Sequence, residues 1–260
     1  MHTSNSGLDT PRPVKSILIA SETRSGSNFL CALMAETNQL GKPWEYFSKY
    51  IPFDNAKTVQ ERYRYACNNG ITPNGVISIK LFPEHWEMIK HQFDIDKNFP
   101  DRYWIWLRRK DLLAQAISRH IALHTRSWVS NTEPQNPPEY SARGIHRRLR
   151  YLANSEARWR VFFTRNGITP LELWYEDIIR DPLKTIADIA SLAGIEIDRS
   201  IIKTDVYTKP QRTSLNEEWK QRYLQEMADI NHMDKIWATR SHSFSLKNLW
   251  SLCRGKLPKP

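Results

Sequence analysis

Runs of apolar residues alternate along this chain with segments whose apolar positions recur at helical spacing. Strands are predicted at residues 16–20, 76–82, 103–107 and 171–175, and the first is expected to be buried because it is apolar on both faces. Helices are predicted from the loop after residue 20 to just before Gly41, and over 84–93, 112–123, 142–165 and 182–192. Strands and helices that alternate in this way predict an α/β fold with a mostly parallel central sheet flanked by helices.

The first strand leads directly into a short polar turn and then into a helix. The turn, residues 21–27, reads S-E-T-R-S-G-S, and its backbone N–H groups would face an anion at the positive end of the helix. Arg24, Ser25 and Ser27 add donors suited to a phosphate. No lysine follows Gly26, and no glycine precedes it at the spacing of a nucleotide-triphosphate loop. The layout therefore predicts a P-loop-like three-layer fold with a phosphate site, but not an ordinary ATP or GTP enzyme.

Composition and charge add an anionic partner to this picture. The 260 residues carry 38 basic and 28 acidic side chains, for a net charge of +10. That excess favours a nucleotide, a nucleic acid, a sulfated or phosphorylated ligand or a membrane surface, although a solvated basic surface explains it equally well. The three cysteines form no C-x-x-C pair, and no His/Asp/Glu cluster has metal-ligand spacing, so no metal is expected. With no signal-like or membrane-spanning apolar run, the expected location is the cytoplasm.

Two later segments are candidates for the same anion. Arg109 follows the third strand at its carboxyl end, where open α/β sheets bind ligands, and Ser118 lies on the next helix. Together they could clasp a phosphate, although an arginine at a strand end is often a surface salt-bridge site. A basic turn at 208–213, which includes Gln211 and Arg212, could close over a nucleotide or simply be an exposed loop.

Taken together, these segments resemble the PAPS-dependent sulfotransferases, in particular the bacterial trehalose 2-sulfotransferase family. The matching motifs lie over roughly residues 15–225. They are R-S-G-S at 24–27, G-K-P-W-E-Y-F at 41–47, R-K-D at 109–111 through Q-A-I-S at 115–118, H-T-R-S-W at 124–128, Y-E-D at 175–177 with Asp181-Pro182, and Gln211-Arg212 through Trp219. The turn at 41–47 is the most specific of them.

The resemblance implies a donor, 3′-phosphoadenosine 5′-phosphosulfate (PAPS), a product, 3′,5′-ADP (PAP), and a carbohydrate or glycolipid hydroxyl as acceptor. It implies that Glu45 is the general base. Arg24 is expected to stabilise the leaving phosphate, and Lys80, on the second strand, could approach the transferred sulfuryl group. The resemblance assigns donor binding to Arg24, Ser25, Gly26, Ser27, Asn28, Arg109, Ser118, Gln211 and Arg212. The acceptor side is expected to include Trp44, Tyr46, Arg126 and Trp128. A sulfotransferase domain over 14–235 would then lie between a flexible arm at 1–13 and a basic tail at 236–260.

Several of these residues have simpler interpretations from the sequence alone. Glu45 could cap a turn or pair with an arginine, and Lys80 could extend its ammonium out of the core. Trp128 could be structural, and His124 is better read as a surface or core residue than as a base.

Two other functions stay open at this point. One is a basic nucleic-acid-binding protein, given the charge and the ten tryptophans. The other is a nucleotide-dependent small-molecule kinase. The preferred interpretation expects no nucleic acid. It includes a homodimer, as the family likeness implies. The apolar and basic segment 243–253 could contact the inner face of the membrane, but packing against the body of the protein or a dimer partner is the favoured interpretation.

Overall fold

The computed structural model describes residues 10–49, 56–92, 94–128, 133–198 and 214–234. Its compact units are Met1–Met227 and Ala228–Pro260. The elements in chain order are β1 (Lys15–Ala20), α1 (Ser27–Glu36), α2 (Val59–Gly70), β2 (Val76–Leu81), α3 (Pro83–Ile89), α4 (Ile95–Asn98), β3 (Arg102–Arg108), α5 (Leu112–Thr125), α6 (Ala142–Arg165), β4 (Leu171–Trp174), α7 (Tyr175–Arg180), α8 (Pro182–Leu192) and α9 (Ser214–Met227). Gln211, Arg212 and the tail segment 243–260 lie outside the described residues.

The four strands form one parallel sheet in the order β2-β1-β3-β4. β1 lies at the centre, and its residues Ile17–Ala20 are fully buried because both faces of the sheet are covered. Ile17 and Ile19 pack towards α1 and α8, whereas Leu18 and Ala20 pack towards α2 and α6. The predicted three-layer fold is confirmed.

The carboxyl ends of the strands meet at one edge of the sheet, and the loops that follow them carry the candidate chemistry. The loop after β1 leads into α1, and the segment after β3 leads into α5. A further apolar cluster joins α5, α6 and α9, and Gln115 of α5 donates to the Thr23 carbonyl of the first loop. The fold therefore brings two of the family-like motifs to a single edge.

The observed elements differ from the sequence prediction in the extent of one helix and in several helices that were not predicted. The helix predicted over 84–93 ends at Ile89, because Asp94 caps the separate short helix α4 by accepting from the Lys97 N–H. The helices α2, α7 and α9 were not predicted. α2 carries a readable signal, since Thr58 and Glu61 form a reciprocal capping box.

Candidate active site

The loop between β1 and α1 is held in an unusual backbone conformation. Arg24 has φ +63° and Gly26 has φ +84°, and Gly26 is the N-cap of α1. A Cβ on Gly26 would lie 2.1 Å from Cδ2 of Tyr175, so only glycine fits between the loop and the start of α7. The first turn of α1 has no acidic residue, which leaves its N-terminal N–H groups available to an anion.

Arg24 points across the loop towards α5. Its Nε donates to Oγ of Ser118 at 2.9 Å, and a terminal nitrogen donates to the Trp128 carbonyl at 2.8 Å. Burial, followed by the nearby charge of Arg109, lowers the pKa of Arg24 to about 10. Two guanidinium groups in mutual repulsion are a favourable setting for a dianionic phosphate.

Arg109 approaches the same loop from the end of β3. A terminal nitrogen donates to the Arg24 carbonyl at 3.2 Å, and its guanidinium carbon lies 4.9 Å from the centre of the Tyr175 ring. Its Nε is 3.9 Å from a carboxylate oxygen of Glu176. The structure therefore brings together Arg24, Arg109 and Ser118. These residues come from separate segments of the chain, and the sequence analysis assigned them to one ligand.

The turn at 41–47 is fixed to β2 and carries Glu45 to the first loop. The Lys80 N–H donates to the Trp44 carbonyl at 3.1 Å, which aligns the turn with the strand. The Lys80 ammonium lies 2.8 Å from Oε1 of Glu45 and donates to Oδ1 of Asn28 at 2.6 Å. Lys80 is 1% exposed, whereas Trp44 is 39% exposed. Glu45, Lys80 and Asn28 thus form one polar chain from the turn to the start of α1.

Two buried titratable groups, Cys31 and His85, lie near Glu45 and Lys80. Burial raises the pKa of the Cys31 thiol to about 11, so it is not a nucleophile at neutral pH. Burial also lowers the pKa of His85 to about 4, and the neutral ring stacks on Phe82 at a centroid distance of 4.9 Å. His85 was missed by the sequence analysis, although it lies five residues after Lys80.

The remaining predicted site residues differ in burial: Tyr46 is buried, whereas Arg126 and Trp128 are exposed. Tyr46 is 5% exposed, and its hydroxyl donates to the Lys42 carbonyl at 2.8 Å, so its side chain lies in the core rather than beside Trp44 at the surface. Arg126 and Trp128 are exposed just after α5, and Trp128 reaches the loop through its backbone carbonyl. His124 is in the last turn of α5, 4.0 Å from Glu139.

A second missed group lies beneath the loop. Glu22 is 5% exposed and accepts from the Ser155 hydroxyl and the Thr23 N–H, while Arg119 of α5 contacts both Glu22 and Thr23. The sequence carried a signal for Glu22, because a carboxylate is unexpected in a loop that is predicted to bind an anion.

Within the described ranges, no three His, Cys, Asp or Glu side chains cluster as metal ligands. No helix there is long and apolar enough to cross a membrane.

The model of the Stf0 sulphotransferase family matches residues 16–226, and the chain belongs to that family. It is a sulfotransferase. The trehalose 2-sulfotransferase of Mycobacterium tuberculosis is 24% identical, with 83% of this chain and 96% of that relative covered. The enzyme of the same name from Mycolicibacterium smegmatis is also 24% identical, with coverages of 82% and 96%. Among solved structures, the sulfotransferase domain from the curacin biosynthetic pathway matches with a TM-score of 0.48, 12% identity and coverages of 95% and 100%.

Proposed function

We propose that this sulfotransferase moves a sulfuryl group from PAPS to a hydroxyl of a carbohydrate or glycolipid, with Glu45 as the general base. The observation that carries the proposal is the polar chain Glu45–Lys80–Asn28, with distances of 2.8 and 2.6 Å. It joins a carboxylate that is 22% exposed to the loop whose chemistry suits an anionic donor.

The donor's 5′-phosphosulfate is assigned to the loop of Arg24, Ser25, Gly26, Ser27 and Asn28. Two features support this. The positive end of α1 faces the loop. The Ser25 hydroxyl is 1% exposed and has no hydrogen-bond partner among the described residues, so a ligand oxygen could satisfy it.

The donor's 3′-phosphate is assigned to Arg109 and Ser118. Their convergence with Arg24 supports the assignment. Burial and then the charge of Arg109 lower the pKa of Arg24, and a nearby dianion would offset the repulsion between the two guanidinium groups. Gln211 and Arg212 are proposed to close over the same nucleotide.

In the reaction, the acceptor oxygen attacks sulfur in line with the departing phosphate oxygen. The new O–S bond forms as the S–O bond to the phosphate breaks, and PAP leaves with that electron pair. Glu45 takes the hydroxyl proton, while Arg24, Lys80 and the loop N–H groups stabilise the charge that develops on the transferred group and the leaving oxygen.

On the acceptor side, Trp44 supports a carbohydrate. It is next to the base, is exposed and could stack on a sugar ring. Trp128 and Arg126 are proposed to form a second wall. A sugar acceptor is also consistent with the name of the mycobacterial relatives. The homodimer, the cytoplasmic location and the peripheral membrane contact stay predictions.

The test is transfer of labelled sulfate from PAPS to a panel of sugars and glycolipids, trehalose included. Transfer to at least one sugar hydroxyl is the expected result. Transfer from PAPS to phenols or amines but to no sugar would contradict the acceptor class, and no turnover or binding of PAPS would contradict the donor.

A further inference from the structure

The Glu22 carboxyl is buried under the donor loop, and the reaction proposed above does not use it. Its Oε1 accepts from the Ser155 hydroxyl at 2.9 Å, and its Oε2 accepts from the Thr23 N–H at 3.1 Å. A terminal nitrogen of Arg119 is 3.5 Å from Oε2. The carboxylate therefore joins the loop to both helices that cover it, α5 and α6.

Thr23, the residue before Arg24, is held at each of its polar groups. Its N–H is bound by Glu22, its carbonyl accepts from Nε2 of Gln115 at 2.9 Å, and its hydroxyl accepts from Arg119. Arg24 has φ +63°, a conformation that a residue with a side chain rarely adopts. Because the surrounding structure must impose such a conformation, the contacts of Thr23 act together with the donation from Arg109 to the Arg24 carbonyl to hold Arg24 in place.

Keeping a charge on Glu22 is costly in this setting. Burial raises the pKa of Glu22 to about 7, even though Arg119 opposes the shift. The crevice beside the carboxyl has apolar walls from Leu107, Leu112 and Leu152. The charged and titratable groups that face Glu22 or the same crevice are Arg119 from α5, Glu84 from α3, Tyr151 and Glu156 from α6, and Arg108 from β3.

Packing alone does not require that charge, since a neutral glutamine has the same shape and could still bond to Ser155 and Thr23. The one contact that needs an ionised carboxyl is the pair with Arg119. Arg119 is 13% exposed and stacks on Tyr151, with its guanidinium carbon 4.2 Å from the ring centre, so its position depends on the few partners around it.

We propose that ionised Glu22 and Arg119 are a positioning pair for the donor loop: they lock Thr23 and thereby present Arg24 to the 5′-phosphosulfate. The inference rests on the proposed donor. Protonation of Glu22 releases Arg119, loosens the loop and lowers the affinity for donor and product, so the affinity depends on pH through a residue that never touches the ligand.

The test is calorimetric titration of the full chain with PAP, for wild type and Glu22→Gln, from about pH 6 to about pH 8.5. The ionisation of PAP itself cancels in the ratio of the two affinities. We expect that ratio to be close to one at the acid end and to rise to about tenfold in favour of wild type at the alkaline end. In steady-state kinetics, Glu22→Gln should raise the KM for PAPS and leave the acceptor KM unchanged.

Glu156→Gln is the matched control, because Glu156 lines the same crevice but forms its ion pair with Arg108, at 3.1 Å, rather than with Arg119. Its affinity ratio to wild type should stay constant across the pH range. If Glu22→Gln fails to fold, Arg119→Gln, which leaves the carboxyl in place, should weaken PAP binding and flatten its pH dependence in the same way.

A constant ratio for Glu22→Gln, or the same rise for Glu156→Gln, would overturn the positioning role while leaving the donor assignment intact. Wild type that binds no PAP at any pH would contradict the donor assignment, and the positioning role with it.

Discussion

The Lys80 ammonium lies 2.8 Å from a carboxylate oxygen of Glu45, and the same ammonium donates to Asn28 at the start of α1. Lys80 is 1% exposed, and burying a polar group of this kind is costly unless it has such partners. The contact fixes the candidate base relative to the donor loop before any ligand is present. The turn at 41–47 is thereby joined to the proposed donor site rather than being a separate surface feature.

Glu45→Gln should lower turnover by about two to four orders of magnitude, the usual contribution of a positioned base, while PAP affinity stays near that of wild type. The glutamine preserves the shape and can still accept a hydrogen bond from Lys80, but it cannot take the acceptor's proton. Single-turnover rates and calorimetry with PAP measure the two effects separately. Turnover like that of wild type, in a variant shown to be folded, would mean that Lys80 or His124 should be tested as the base.

Lys80→Met should reduce turnover by about 10-fold to 100-fold, because it removes a cation next to the proposed sulfuryl position. Methionine fills a similar volume without the charge. Lys80 and Glu45 are in contact, so their effects should not be additive. In the double variant Lys80→Met/Glu45→Gln, the activation free energy should rise by less than the sum of the two single-variant increases, the difference being about 1 kcal/mol or more. Strict additivity of the two losses, in folded variants, would show that the residues act independently.

Arg109→Ala should weaken binding of 3′,5′-ADP by about 1.5–3 kcal/mol, and binding of 5′-AMP by much less, because only the former has a 3′-phosphate. Arg109 also donates to the Arg24 carbonyl, so a small loss for 5′-AMP is expected through the loop. Lys110→Ala is the matched control, since Lys110 follows directly but pairs with Asp177 at 2.8 Å. Equal losses for both nucleotides in Arg109→Ala would remove Arg109 from the 3′-phosphate site.

Gly26→Ala should destabilise the fold by about 2 kcal/mol or more, because strain at φ +84° adds to a clash with the Tyr175 ring. Gly167→Ala separates the two effects. Gly167 has φ +63°, but no atom lies within 4 Å of the position that an alanine Cβ would take, so this variant should lose only the strain, about 1 kcal/mol. Urea unfolding of both variants gives the comparison. Equal losses would show that Tyr175 moves aside easily, and that the close approach does not define the loop.

The central strand was predictable because it is buried on both faces, which leaves the uninterrupted apolar run Ile17–Ala20. The sequence also located the loop at 21–27, and the likeness to a family indicated the turn at 41–47. Helix α2 was missed even though Thr58 and Glu61 mark its start. Its apolar positions are sparse, so the helical period alone is weak there.

What the sequence could not provide is the set of contacts between segments far apart in the chain. Arg119 and Glu22 are separated by 97 positions in the sequence, and only the packing of α5 and α6 over the loop brings them within 3.5 Å. Tyr46 illustrates the opposite case. Its neighbour Trp44 is exposed and Glu45 is half-buried, but the ring of Tyr46 itself packs in the core.

The buried carboxyl of Glu22 should also make the stability of the fold depend on pH. Burial raises its folded-state pKa to about 7, above the value of 4.5 for an ordinary glutamate. The folded state therefore holds the proton more tightly, and the stability from this group is complete below about pH 4.5 and is lost as the pH rises to about 7. The shift corresponds to about 3 kcal/mol.

Glu22→Gln, which cannot ionise, should keep that stability, so its free energy of unfolding should exceed that of wild type at pH 8 but not at pH 4.5. Urea unfolding at both pH values measures the difference. A variant that is equally destabilised at both pH values would show that Glu22 stabilises the fold by its hydrogen bonds alone. If the charge on Glu22 is retained for function, the variant should be more stable than wild type at pH 8 and should bind PAP more weakly.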